Sequence, residues 1–104
     1  MKHIIAGRIY NTETAIRICE LPCRFYKGDF QYHDTDLYRT RNGNYFIAGQ
    51  GGPASMWAEP CGNNGYSGGS GIRPVDTDTA MRYAETAELS PEEMVAAGFD
   101  IQEA

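Results

Sequence analysis

Cys19, Cys23, Cys61, His3 and His33 are the side chains best suited to hold a metal or attack an electrophile, and their spacing argues against both. Cys19 and Cys23 stand four apart like half of a zinc site, but Pro22 and a strand-like setting give them no ligand geometry. Cys61 lies far along the chain, and the isolated histidines complete no ligand set. The three thiols read as structural and reduced, and neither metal nor cofactor is expected. No histidine is placed in sequence as a base for Ser55, Ser67 or Ser70. Glu92-Glu93 falls where the first turn of a helix would use it. A paired-carboxylate glycosidase would need a cleft that a 104-residue chain barely provides. The expectation is a protein without catalytic residues.

Two glycine strings remain, Gly49-Gln50-Gly51-Gly52 and Gly68-Gly69-Ser70-Gly71. Neither fits the dinucleotide fingerprint or the P-loop, because no G-K-[ST] occurs and no helix start follows at the required place. Only Arg73 is near enough in sequence to pair with a phosphate. Tight turning and close backbone approach is therefore the job expected of Gly49, Gly51 and Gly52. Residues 61–71 read as a polar glycine-rich loop that displays Asn63, Asn64 and Tyr66.

Charge narrows the partner classes. Residues 1–48 carry 7 Lys/Arg and 5 Asp/Glu, a balance of 7 − 5 = +2, whereas residues 49–104 carry 2 and 9, a balance of 2 − 9 = −7. An acidic half repels nucleic-acid phosphates and membrane surfaces and attracts basic proteins. Arg39, Arg41, Tyr38, Tyr45 and Phe46 do resemble the aromatic and basic mix of single-strand binders. The cations are too few and the overall charge is wrong for it, so direct nucleic-acid binding is disfavoured. The opening stretch MKHIIAGRIY is too briefly apolar for a signal peptide, and no window approaches the roughly 18 apolar residues of a membrane span. A cytoplasmic protein is expected.

The elements that must position these residues change character near residue 71. Before it, aromatic and β-branched residues alternate with turn residues; after it, helix formers dominate, an α+β order. Residues 3–5 and 8–10 flank an Ala6-Gly7 turn, and 14–19 alternate as a strand that Pro22 ends. Residues 23–35 read as a loop with a short strand at 30–33. Asn42-Gly43 between two aromatic runs is a strong hairpin signal. A two-residue turn there would set Arg39 opposite Phe46 and Tyr38 opposite Ile47. Tyr38, Tyr45 and Ile47 would then share one face, and Leu37, Phe46 and Ala48 the other. Residues 53–59 could form one or two helical turns starting at Pro53 and stopped by Pro60. Residues 72–75 read as an edge strand. One helix follows at 79–88, capped from Asp76-Thr77-Asp78, with Ala80, Tyr83, Ala84 and Ala87 on its inner stripe. A second opens with the capping box Ser90-Pro91-Glu92-Glu93 and ends at Gly98.

Several ordered blocks span most of the chain: R-I-YNTETA (8–15), LYRTRNGNYFIAGQGGPAS (37–55), GNN followed by S-GG (62–69), and the S-P-E-E helix start. Together they resemble a group of small bacterial proteins encoded in phages, prophages, plasmids and conjugative elements. The usual P-L-[TS]-E-E-A segment of that group departs here to Pro74-Val75-Asp76-Thr77-Asp78-Thr79-Ala80. The resemblance carries over no catalytic residue. Cargo of this size in mobile elements often inhibits host defence, anti-CRISPR proteins among it.

The resulting expectation is an α+β domain with a small, twisted, mostly antiparallel sheet of about three to five strands and two C-terminal helices on one face. Residues 1–60 would hold the sheet and a short helix, 61–71 the loop, and 72–104 the edge strand and acidic helices. Its function would be non-enzymatic inhibition of a protein, most concretely an anti-CRISPR-type block of a nuclease effector in a host defence complex. Asp76, Asp78, Glu85, Glu92 and Glu93 would engage a basic groove, with Trp57, Tyr66, Tyr38 and Tyr45 as aromatic contacts. The alternatives are a self-associating accessory protein, as a homodimer through the exposed ribbon, or a small nucleotide- or nucleic-acid-binding module.

Overall fold

Ala6 and Gly7 adopt positive φ values of 52° and 76°, the backbone that a two-residue primed turn requires. They close β1 (Lys2–Ile5) onto β2 (Arg8–Asn11) as an antiparallel hairpin in the computed structural model, which describes residues 1–104. The main sheet has four antiparallel strands in the order β3-β4-β5-β8. These are β3 (Ile16–Glu20), β4 (His33–Arg39), β5 (Tyr45–Gly51) and β8 (Gly69–Val75). A small separate hairpin joins β6 (Glu59–Cys61) to β7 (Gly65–Ser67). The chain ends with α1 (Thr77–Thr86) and α2 (Pro91–Ala96), so the architecture is the expected α+β.

The ribbon turn forms at Asn42-Gly43 but is one residue longer than expected. Only Gly43 has positive φ, at 86°. The Gly43 N–H donates to the Thr40 carbonyl at 2.9 Å, and the Thr40 N–H to the Asn44 carbonyl at 2.8 Å. A three-residue loop of this kind, a turn followed by a left-handed glycine, moves the pairing by one position. Arg39 faces Tyr45, Tyr38 faces Phe46 and Leu37 faces Ile47. That slip redistributes the faces: Leu37, Tyr45 and Ile47 share one core cluster, while Phe46 and Ala48 lie in the other with Tyr38 packed against them.

Both faces are apolar, and each has its own cover. The two helices cover the first: Ala80 and Ala84 of α1 are completely buried, and Met94, Ala97 and Phe99 complete the cluster. The β1–β2 hairpin covers the second. Its Tyr10 meets Phe46 edge-on at 5.4 Å, and Tyr38 stacks on the same ring at 5.1 Å. The ribbon therefore offers neither the free face expected for self-association nor a platform on which bases could stack.

Three segments differ from expectation, the first being residues 30–32, which form a turn ahead of β4 where a short strand at 30–33 is expected. Residues 53–59 form turns and no helix. The Ser55 hydroxyl donates to the Gly52 carbonyl at 2.7 Å and accepts the Trp57 N–H at 3.2 Å, local bonds that compete with helical pairing. Residues 61–71 are not a loop, because 59–67 fold as the hairpin and β8 already begins at Gly69. Gly69, Gly71 and Ile72 pair with Gly51, Gly49 and Ala48, and Pro74 lies on this edge strand, where its missing N–H is tolerated.

Close approach accounts for the glycine at 49. A Cβ there would lie 2.8 Å from the Thr35 Cα and Oγ1 and run into the Asp34 carbonyl. At Gly71 the added atom would meet the Trp57 ring at 3.3 Å. Gly49→Ala should destabilise the protein by about 1–3 kcal/mol in urea denaturation, and Gly71→Ala by less. Equal or reversed effects would show that the β4–β5 approach is not the tighter constraint.

Candidate functional site

Trp57 is 5 % exposed and belongs to the core. Its indole N–H donates to the buried Thr35 hydroxyl at 2.8 Å. The Arg73 guanidinium lies over the ring, 5.0 Å from its centroid, and also donates to the Met56 carbonyl. A side chain held on this many sides has no surface to offer a partner, which corrects its expected role as an anchor. Tyr45 is corrected for the same reason. It is buried, stacks on Phe99 at 4.9 Å and donates its hydroxyl to the Ala97 carbonyl at 2.8 Å, fastening the end of α2 to the sheet. Tyr38 is half-buried on Phe46, and burial, followed by nearby Asp36, raises its phenol above the ordinary value. Tyr66 alone of the four stands free, 65 % exposed on β7.

The carboxylates are arranged differently. Asp76, Asp78, Glu85, Glu92 and Glu93 are all exposed, on or at the start of the two helices. Two of them already have structural work. Asp76 accepts the Thr79 N–H at 2.7 Å, and Glu93 accepts the Ser90 N–H at 3.0 Å within a complete capping box. These backbone donors hold both carboxyls below their ordinary values. Asp78, Glu85 and Glu92 are left to solvent, joined by Glu88, Asp100 and Glu103. Residues 76–104 thus carry 8 carboxylates against Arg82 alone, a balance of 1 − 8 = −7. No ion pair forms there; the molecule's one ion pair joins Arg17 to Asp36 at 3.0 Å on the sheet.

The thiols occupy different environments: Cys19 is buried, Cys23 half-buried and Cys61 exposed, and none is bonded to another. Burial pushes the Cys19 thiol up. No three His, Cys, Asp or Glu side chains converge as a ligand set, and no helix is long and apolar enough to cross a membrane.

One feature lay outside the sequence reading. The two glycine strings meet where β5 ends and β8 begins, as Gly51 pairs with Gly69. Together with the turn at residues 28–32 they line an open groove of about 640 Å³. The first string was legible as backbone built for close approach and the second only as part of a polar loop, and their juxtaposition depends on a strand pairing that glycine-rich sequence does not announce. No protein-family model, curated protein or solved structure matches the chain.

The caps give the helical layer a defined pH response. Each capping carboxylate has a lowered folded value, so its stabilisation is complete above the unfolded value and is lost as pH falls through the folded one. Stability should therefore begin to fall below the ordinary values of 3.8 for Asp76 and 4.5 for Glu93. Asp76→Ala should flatten that fall, and an unchanged slope in denaturant unfolding at stepped pH would refute the cap assignment. At pH 7, Ser90→Ala should cost about 1 kcal/mol through loss of the second cap.

Proposed function

We propose that this chain is a non-enzymatic protein-binding inhibitor that sets its acidic helical layer against a basic surface of another protein. The observation that carries this reading is the outer side of α1 and α2, where exposed carboxylates face a single arginine and no ion pair neutralises them. Such a layer raises the rate of encounter with a positively charged partner and disfavours phosphate-bearing ones. It is also preformed. Two fully buried alanines seat α1, while the Tyr45 hydroxyl and the Phe99 stack seat α2, so little ordering is required on contact. A protein that handles nucleic acid presents a groove of the complementary sign. Together with the resemblance of the sequence blocks to mobile-element proteins, this favours an anti-CRISPR-type block of a nuclease effector. Asp78, Glu85 and Glu92 would carry the charge, and Tyr66 is the aromatic contact that stays free.

One further observation favours self-association. Ile4 and Ile9 face each other across the β1–β2 hairpin and are 74 % and 63 % exposed. Light scattering across a concentration series separates the readings, since a monomer at every concentration would dismiss association through this hairpin.

The inhibitor reading is tested in bacterial cells that carry a panel of nuclease effectors and are challenged with phage. Expression of the chain should protect the phage from at least one effector. The triple variant Asp78→Lys, Glu85→Lys and Glu92→Lys should lose that protection while its circular dichroism and Tm stay close to those of the parent. Full protection by the reversed variant would reject docking through charge, and no protection by either chain would reject the inhibitor.

A further inference from the structure

The groove at the glycine-rich end of the sheet has a chemistry of its own. Its only charged lining residues are Asp29 and Glu59; no lysine or arginine lines it, and neither carboxylate is in an ion pair. Glu59 is folded inward: its Cγ and Cδ would stand 2.7 and 2.8 Å from a Cβ added at Gly69, so the side chain lies across that glycine. Phe30 also lines the groove while 69 % exposed, an aromatic side chain the fold leaves uncovered. Tyr32 and Gln50 add a second ring and a neutral polar group.

The wall that carries Asp29 and Phe30 is held in place by hydrogen bonds. The Asp29 carboxylate accepts the Gln31 N–H at 2.8 Å, and its carbonyl accepts the Tyr32 N–H at 3.1 Å. The Phe30 and Tyr32 carbonyls accept the N–H groups of Ala54 and Gly52 at 2.8 and 2.9 Å. The turn is thereby tied to the segment that follows β5. Gly51, Gly52, Gly68 and Gly69 contribute only backbone to the lining, each approached too closely by a neighbouring segment to carry a side chain.

We infer that this groove is a binding site for a guanidinium group, presented by an arginine of the partner protein. A planar cation with five N–H donors can pair with a carboxylate through two parallel hydrogen bonds while its face lies on an aromatic ring. An ammonium matches the charge and lacks the flat, forked shape. A phosphate or carboxylate ligand would meet two like charges. Arginine as the ligand rests on the reading of the partner as a basic protein; the groove's preference for guanidinium can be measured without that partner.

The experiment is a titration of the ¹⁵N-labelled full chain with N-acetyl-arginine amide, with N-acetyl-lysine amide as comparator. Saturable shifts should concentrate at the amides of Gln50, Gly51, Gly52, Gly68 and Gly69, and the arginine compound should bind the tighter. Glu59→Gln should weaken binding by about tenfold, and Phe30→Leu, which keeps the apolar bulk and removes the ring, by about threefold. Glu59 is exposed and in no ion pair, so its variant is expected to fold as the parent does. Absence of saturable shifts at these amides, equal binding of the lysine compound, or an unchanged affinity in Glu59→Gln would each overturn the site. The variant reversed at Asp78, Glu85 and Glu92 should titrate like the parent. Failure of the helical layer to bind a partner is thus distinguishable from failure of the groove to bind guanidinium.

Discussion

The seat of Trp57 across three strands is the contact on which most of the structure depends. Thr35, Gly49 and Gly71 are in register on β4, β5 and β8 and leave a shallow trough on the face that the helices share. The indole fills it, close against Gly71, with its N–H on the Thr35 hydroxyl and the Arg73 guanidinium above. Removing a tryptophan side chain from water contributes about 4–6 kcal/mol of transfer free energy, a large share of what holds a small domain together. That gain requires the trough to be free of side chains. The glycines farther along answer to separate close approaches: Gly51 to Ser55 and the Tyr32 carbonyl, Gly52 to the Phe30 carbonyl, and Gly69 to the Trp57 carbonyl and the Glu59 side chain. The bare backbone at Trp57 and the glycine lining of the groove are therefore neighbouring features with different causes.

What the sequence disclosed, and what it withheld, follows the range of each interaction. The helix ends were legible because a cap is local chemistry: Asp76 reaches Thr79, Ser90 and Glu93 satisfy each other, and Gly98 takes φ 92°. The Ala6-Gly7 and Asn42-Gly43 turns were legible for the same reason. Register was not. Whether Asn42 joins Gly43 in positive φ decides between a two-residue and a three-residue loop, and that choice is made by the packing of the flanking strands. One residue of slip placed Tyr45 in the core, where the sequence alone would leave it beside Tyr38 on a partly wet face. The fate of Trp57 was hidden similarly, since the trough that receives it is assembled from strands far apart in sequence. β8 is the extreme case: Gly-Ser-Gly has little intrinsic preference for a strand, and it pairs because β5 presents an open edge next to it.

A two-faced sheet also sorts the charge. Helices and N-terminal hairpin lie on opposite faces, because the two core clusters take alternate residues of β5. The hairpin side bears Lys2 and Arg8 with no carboxylate in residues 1–12, and the helical side carries nearly all of the acidic excess. Within the helical layer the acids divide again by role. Those at Asp76 and Glu93 neutralise exposed N–H groups at helix starts, so their charge is partly compensated by the helix itself. Asp78, Glu85 and Glu92 have no hydrogen-bond partner of that kind, and their field extends outward. As partner contacts the sequence leaves all five alike; the cap geometry at Asp76 and Glu93 separates the structural pair from the three available to a partner.

Distance decides whether groove and helical layer can serve one partner. Val75 leads into Asp76 at one end of β8, and Gly69 lines the groove at the other. Six residue-to-residue steps separate those ends, roughly 20 Å at the rise of an antiparallel strand. A protein interface of standard size covers about 800 Å² on each partner, which is roughly 28 Å across if square. A partner of that size therefore spans the distance from the groove to the start of α1, and would meet a distributed attraction at the helices and a single flat site in the groove. Those two contacts would do different jobs. A field from exposed carboxylates is screened within about 8–10 Å in physiological salt and has little directional preference, so it brings many basic surfaces close without choosing among them. A guanidinium in the groove would have to match position, plane and charge together, and it is this match that would distinguish one partner from another.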